Sequence, residues 1–255
     1  KDSKEVNNQT YQSLLRSLLN ISSEKDLLQQ IKWLESSHKF LQNSIHFAYG
    51  KTNSGGFALL LDIIPKFENN VSGLIGANRV NNGDWITNGE IELNLENIWS
   101  TASNSLFHWK RLNEKSEIIS FLHYEPTLWN LPFGLQIKLD KELRDKEYIS
   151  QYRDLRIFSN LLRYGKWFFG SKNLTIIPSD IGYASGLIKH RSSSILLGLI
   201  NDTRNHRWIP TNGYYWNMSL SLGKQTEDNI ANLKTDLSLN SGIIREINSL
   251  LSYHI

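Results

Sequence analysis

The sequence predicts a mainly β chain: an antiparallel, membrane-spanning β-barrel sheet preceded by a small α+β module. Three observations predict it. From Val71 onward the helical period vanishes and about eleven segments of alternating polarity follow one another. Before residue 66 the apolar residues instead recur at the 3,4 spacing of helices. Aromatic side chains then cluster toward the segment ends, as in the interface girdles of a membrane barrel. The boundary falls between residues 1–66 and 67–255.

In the first part, Tyr11, Leu14, Leu15, Leu18 and Leu19 form one apolar face and predict a helix over Tyr11 to Leu19. Ser22 and Ser23 offer caps, and Ser23 with Asp26 approximates a capping box. The second helix carries Leu27, Leu28, Ile31 and Leu34 on one stripe and ends near Ser36 or Ser37. Ser44 to Tyr49 and Phe57 to Ile64 then read as a hairpin, turned by Lys51 to Gly56.

The later strands are expected near 71–79, 89–100, 104–112, 116–125, 133–143, 151–163, 173–184, 192–202, 213–223, 231–240 and 243–254. Ile91, Leu93 and Leu95 alternate with Glu90, Glu92, Asn94 and Glu96. Met218, Leu220 and Leu222 alternate with Asn217, Ser219 and Ser221. Each strand therefore has one apolar and one wet face. A soluble antiparallel sandwich alternates too. Eleven strands without an intervening helix nevertheless present more apolar face than one sandwich layer hides easily. Trp99, Trp109, Tyr124, Trp129, Tyr164, Trp167, Phe168, Phe169, Trp208, Tyr214, Tyr215 and Trp216 are the girdle candidates.

Composition narrows the chemistry. With 28 basic against 25 acidic residues, the net charge of +3 is too weak to point to nucleic acid. The absence of cysteine removes disulfides, zinc ribbons and thiol nucleophiles together. Gly50-Lys51-Thr52 resembles the end of a phosphate-binding loop, but Ile45 stands where its first glycine is required. In Gly182-Tyr183-Ala184-Ser185-Gly186 the serine is one place late for a nucleophile elbow. The seven histidines show no ligand spacing along the chain, so no metal site is expected. Glu92, Glu96 and Glu125 read as strand acids facing water or a lumen, not as catalysts. The sequons at Asn70 and Asn173 matter only in a eukaryotic secretory setting. Lys189-His190-Arg191 and the group Lys141, Arg144 and Lys146 read as solvated loop clusters, with anionic lipopolysaccharide or an accessory protein as the alternative.

Asp202-Thr203-Arg204, followed by Pro210-Thr211-Asn212-Gly213, resembles the Asp-Thr-Arg, short turn, Pro-Thr-x-Gly signature of the BamA/TamA-type bacterial surface antigen superfamily. Proline fixes φ, glycine allows positive φ, and the Asp and Thr side chains bond local amides, so such a turn is stiff. Gly89 to Ile98 resembles the second barrel strand of that superfamily, although Trp99 to Ser103 replaces its usual glycines. Tyr124-Glu125-Pro126 resembles the end of its fourth strand. Residues 1–66 are similar to its last polypeptide-transport-associated (POTRA) module, with a first strand missing before residue 1.

The resemblance implies a sixteen-stranded barrel, so the chain is expected to be a piece of something longer. The Arg-Gly-Phe-type loop motif that folds into the family lumen has no counterpart here. It implies insertion or translocation of unfolded outer-membrane client proteins, without catalytic residues or cofactors. The setting implied is a Gram-negative outer membrane with lipopolysaccharide. The module would stand in the periplasm, beside periplasmic or lipoprotein accessory subunits. The first barrel strand, with Gly73, Leu74, Ile75 and Gly76, is the candidate lateral seam; its glycines either weaken the strand or relieve curvature. Two alternatives stay open: the barrel anchor of a patatin-like phospholipase fusion, and a soluble β-rich carbohydrate-binding protein.

Overall fold

The structure is a computed structural model. It describes residues 6–18, 21, 23–41, 45–51, 53, 57–79, 83, 85–129, 131–159, 165–204, 211–228, 230–248 and 251–254. It is mainly β, with a small α+β N-terminal part. Helix α1 spans Asn8–Leu15 and continues as a 3₁₀ turn over Arg16–Leu18. It starts earlier than the apolar spacing predicts, because the Asn7 side chain accepts the Thr10 N–H at 2.7 Å and caps it. Helix α2 spans Glu24–Ser37, capped by Ser23, whose hydroxyl accepts the Asp26 N–H at 3.2 Å. Strands β1 (Ile45–Lys51) and β2 (Phe57–Ile63) form the expected hairpin.

Eleven further strands form a single antiparallel meander among the described residues. They are β3 (Asn70–Arg79), β4 (Trp85–Glu96), β5 (Asn104–Asn113), β6 (Ser116–Glu125), β7 (Phe133–Arg144) and β8 (Tyr148–Ser159). The others are β9 (Lys166–Pro178), β10 (His190–Asp202), β11 (Asn212–Glu227), β12 (Ile230–Asn248) and β13 (Leu251–His254). Every strand pairs with its sequence neighbour, and no ladder among the described residues joins β3 to β12 or β13.

Two segments depart from the expectation. The strand expected over 173–184 instead runs over Lys166–Pro178 and takes in the aromatic run Trp167-Phe168-Phe169. Pro178 ends it, and Ser179 caps a short helix α3 (Asp180–Ala184). The two strands expected over 231–240 and 243–254 are one long strand with a short partner. Ser241 and Gly242, which look like a turn, stay in the ladder opposite Trp216 and Tyr215.

Across β8 to β11 the two faces of this sheet are unlike. On the polar face Asp154 is 2% exposed and Ser221 4%, whereas on the apolar face Leu197 is 56% exposed and Leu222 51%. A flat single layer would expose both faces alike, so the sheet curls toward its polar face. This is the inverse of a soluble core. Phe158, Phe168 and Leu196 are also on the enclosed face and form its own small apolar cluster, which moves Phe168 out of the expected girdle.

The N-terminal module has a separate core of Leu14, Leu18, Leu27, Ile31, Leu34 and Leu41, and it takes in Ala102 from the β4–β5 connection. The Asn7 N–H donates to the Ser100 carbonyl at 2.8 Å, and the Ser13 hydroxyl to the Leu131 carbonyl at 2.9 Å. The module therefore sits at the end of the sheet formed by the β4–β5 and β6–β7 connections.

Candidate functional site

The signature turn begins where β10 ends. The Arg204 guanidinium forks onto Asp202, with Nε to Oδ1 at 2.8 Å and a second nitrogen to Oδ2 at 2.6 Å. The Arg204 backbone N–H donates to Asp202 Oδ1 at 3.1 Å, so the carboxylate holds chain and side chain together. These bonds push the Arg204 pKa above its ordinary value. The guanidinium also lies 5.1 Å over the Tyr215 ring. Thr203 closes the strand ends: its N–H and its hydroxyl donate to the Tyr214 carbonyl at 2.9 and 3.0 Å, and its oxygen accepts the Tyr214 N–H at 3.0 Å.

Gly213 has φ of 122°, and a Cβ there would meet the Thr203 carbonyl oxygen at 2.6 Å. Both its conformation and the close approach of the backbone call for glycine. Pro210 lies outside the described residues. A proline–glycine hairpin alone accounts for Gly213, but the Asp202–Arg204 fork is the additional feature that fixes the strand end.

The candidate seam strand, β3, forms one edge of the sheet and is exposed along its whole length. Its inner side pairs with β4, Gly73 opposite Ile91, Leu74 opposite Glu90, Ile75 opposite Gly89 and Gly76 opposite Asn88. A Cβ at Gly73 would stand 2.7 Å from the Glu90 carbonyl oxygen, and one at Gly76 would stand 2.8 Å from the Asn88 side-chain oxygen. Both glycines let β3 lie close against β4. Leu74 and Ile75 remain among the most exposed apolar side chains described.

Residues brought together across strands escape a reading along the chain. Glu90, Glu92 and His108 converge, their ligand-type atoms within 4.8 Å of one another. His108 Nε2 lies 2.8 Å from Glu90, and Lys110 Nζ binds the other Glu90 oxygen at 3.1 Å, so an ion pair already engages this carboxylate. Further along the enclosed face, Arg156 forks onto Asp154 at 2.8 and 2.7 Å, and the Tyr152 hydroxyl adds a bond at 2.8 Å. Arg156 also lies 5.0 Å over the Phe168 ring.

The serine of the near-elbow motif sits at the end of α3, where its hydroxyl donates to the Gly182 carbonyl at 2.9 Å. Glu96 accepts the Glu68 N–H at 2.8 Å and the Asn104 amide at 3.2 Å, and Glu125 accepts the Thr101 hydroxyl at 2.9 Å. Each of these groups has a structural partner.

No protein-family model matches the chain, and no curated protein matches it. Among solved structures it is similar to the crystal structure of BamA from Haemophilus ducreyi lacking POTRA domains 1–3. The identity is 11% and the TM-score 0.45, and the match covers 90% of this chain and 50% of that one. The chain spans about half the length of that structure.

Proposed function

We propose that the chain is the leading portion of an outer-membrane barrel that inserts or translocates other barrel proteins. Residues 67–255 lie in the bilayer, and residues 1–66 form a POTRA-like module in the periplasm of a Gram-negative cell. The observation that carries this reading is the inverted sheet, with exposed apolar side chains on one face and enclosed polar ones on the other. A soluble sandwich would have to cover the apolar face, whereas lipid covers it without a second layer.

The dimensions agree. Tyr214 and Lys224 bracket the apolar stretch of β11, and ten steps at ~3.4 Å give ~34 Å of strand, or ~24 Å of height at a tilt of ~45°.

Insertion or translocation is supported by the resemblance of the Asp202–Gly213 turn and by the two glycines that β3, the first strand of the sheet, carries against β4. In lipid an unpaired backbone amide or carbonyl costs several kcal/mol, so an open edge pairs with whatever strand is available. An unfolded client strand that adds to β3 pairs the edge of β3 by β-augmentation, with no covalent chemistry. Accessory periplasmic or lipoprotein subunits would meet the module.

The chain has no cysteine, which makes the test direct. Ile75→Cys is paired with a client barrel protein carrying one cysteine in its last strand, under mild oxidation during client folding. A disulfide-linked product at Ile75, absent for Leu197→Cys in mid-sheet, is expected. Equal product at both positions, or none at Ile75, contradicts the seam.

A further inference from the structure

Up to Ile243, the apolar face of β7 to β12 carries four cations, and the strand registers gather them at one end. Lys141 pairs with Gln151, Gln151 with Thr175 and Thr175 with Arg191, forming one row across four strands. Arg153 pairs with Asn173, Asn173 with Ser193 and Ser193 with Lys224, the adjacent row. At ~4.8 Å between strands each row spans ~14 Å, and the rows lie ~7 Å apart. All four cations are exposed.

No Asp or Glu of β7 to β12, up to Ile243, falls on this face. Asp140, Glu142, Asp154 and Asp236 all take the alternate positions on the enclosed face. The uncharged neighbours of the cations, Gln151, Asn173, Thr175 and Ser193, are hydrogen-bonding side chains. Toward mid-strand the same face turns apolar at once, with Leu155, Ile195 and Leu222. A face that is greasy in the middle and purely cationic at one margin matches the boundary between acyl chains and anionic headgroups.

The N-terminal module docks at the opposite end of the sheet. With that module in the periplasm, the cationic margin lies in the outer leaflet.

We propose that Lys141, Arg153, Arg191 and Lys224 form a docking belt for the phosphate groups of the outer-leaflet glycolipid, lipid A. The inference rests on the membrane reading above and adds the lipid class and the residues that hold it. The belt draws phosphorylated lipid to the β7–β11 side of the barrel, away from β3. Its contacts are electrostatic, so ionic strength weakens them while the apolar band is unaffected.

The test inserts the full chain into phosphatidylcholine vesicles containing lipid A, bisphosphorylated in one set and dephosphorylated in the other. Insertion is scored by protease protection, and lipid retained after mild detergent extraction is counted by native mass spectrometry. The wild-type chain is expected to keep the bisphosphorylated form about tenfold better. The quadruple variant Lys141→Gln/Arg153→Gln/Arg191→Gln/Lys224→Gln is expected to insert normally and lose that preference. Lys138→Gln/Lys172→Gln, on the enclosed face, should keep it.

Should the quadruple variant fail to insert, the pairs Lys141→Gln/Arg191→Gln and Arg153→Gln/Lys224→Gln carry the same expectation in part. Equal retention of both lipids by the wild type, or full retention by the variants, overturns the belt and leaves the membrane reading standing. Failure of the wild-type chain to insert overturns both.

Discussion

Asp154 shows what single residues do in an inverted sheet. Its side chain is 1% exposed, an expensive place for a carboxylate, and Arg156 and Tyr152 supply the hydrogen bonds that make it tolerable. Replacing Arg156 with methionine leaves the carboxylate enclosed and unpaired and removes the cation over Phe168. A loss of about 3–5 kcal/mol is expected, measured as the shift in the urea midpoint of the inserted chain. Asp154→Asn/Arg156→Met should recover most of it, since neither partner then carries a charge. None of this was legible in the sequence: Asp154 and Arg156 stand two apart in a strand, and only the curl of the sheet makes the pair an enclosed one. Asp202 and Arg204 were picked out as members of a turn motif, but their fork onto one another was not read from it.

Whole elements were read most surely where alternation was uninterrupted. The expected bounds 116–125 coincide with Ser116–Glu125, and 133–143 fall within one residue of Phe133–Arg144. The reading failed where residues with two uses occurred. Trp167-Phe168-Phe169 looks like an interface girdle, yet at the start of β9 only Trp167 and Phe169 take the outward face, while Phe168 turns inward, across Gly198. The two basic loop clusters were likewise seen along the chain, whereas the register puts Lys141 and Arg191 in one row.

The docking of the N-terminal module onto the sheet has its own titratable group. His38, buried behind α2, has no hydrogen-bond partner for either ring nitrogen among the described residues. Burial, with the nearby Lys166 charge, holds its pKa well below 6.5. Above pH 6.5 His38 is neutral folded or unfolded and costs nothing. As pH falls below 6.5 the unfolded chain takes up a proton that the folded one refuses, so stability drops by about 1.4 kcal/mol per pH unit until the lowered pKa is reached. Urea midpoints at pH 7.5 and 5.5 should therefore separate the wild type from His38→Phe, with the variant losing less on acidification. An equal loss in both would contradict a neutral buried His38.

At the scale of the whole molecule, the fold class followed from period-2 patterning, but pattern alone left the barrel and the sandwich open. What separates them is which face is enclosed, and that depends on curvature, a property of many strands together. The 3,4 spacing before residue 66 and the alternation after it marked the change of architecture. They did not reveal that the module caps one end of the sheet through Asn7, Ser13 and Ala102. The most direct measurement is a cysteine-accessibility comparison of the chain in vesicles, using Leu197→Cys and Leu220→Cys on the apolar face and, one at a time, Ser219→Cys and Ser238→Cys on the less enclosed part of the polar face. The account predicts that a small water-soluble maleimide labels the serine positions, while only a lipid-soluble reagent labels the leucine positions. Ready labelling of Leu197→Cys and Leu220→Cys by the water-soluble reagent, with the serine positions protected, would contradict it.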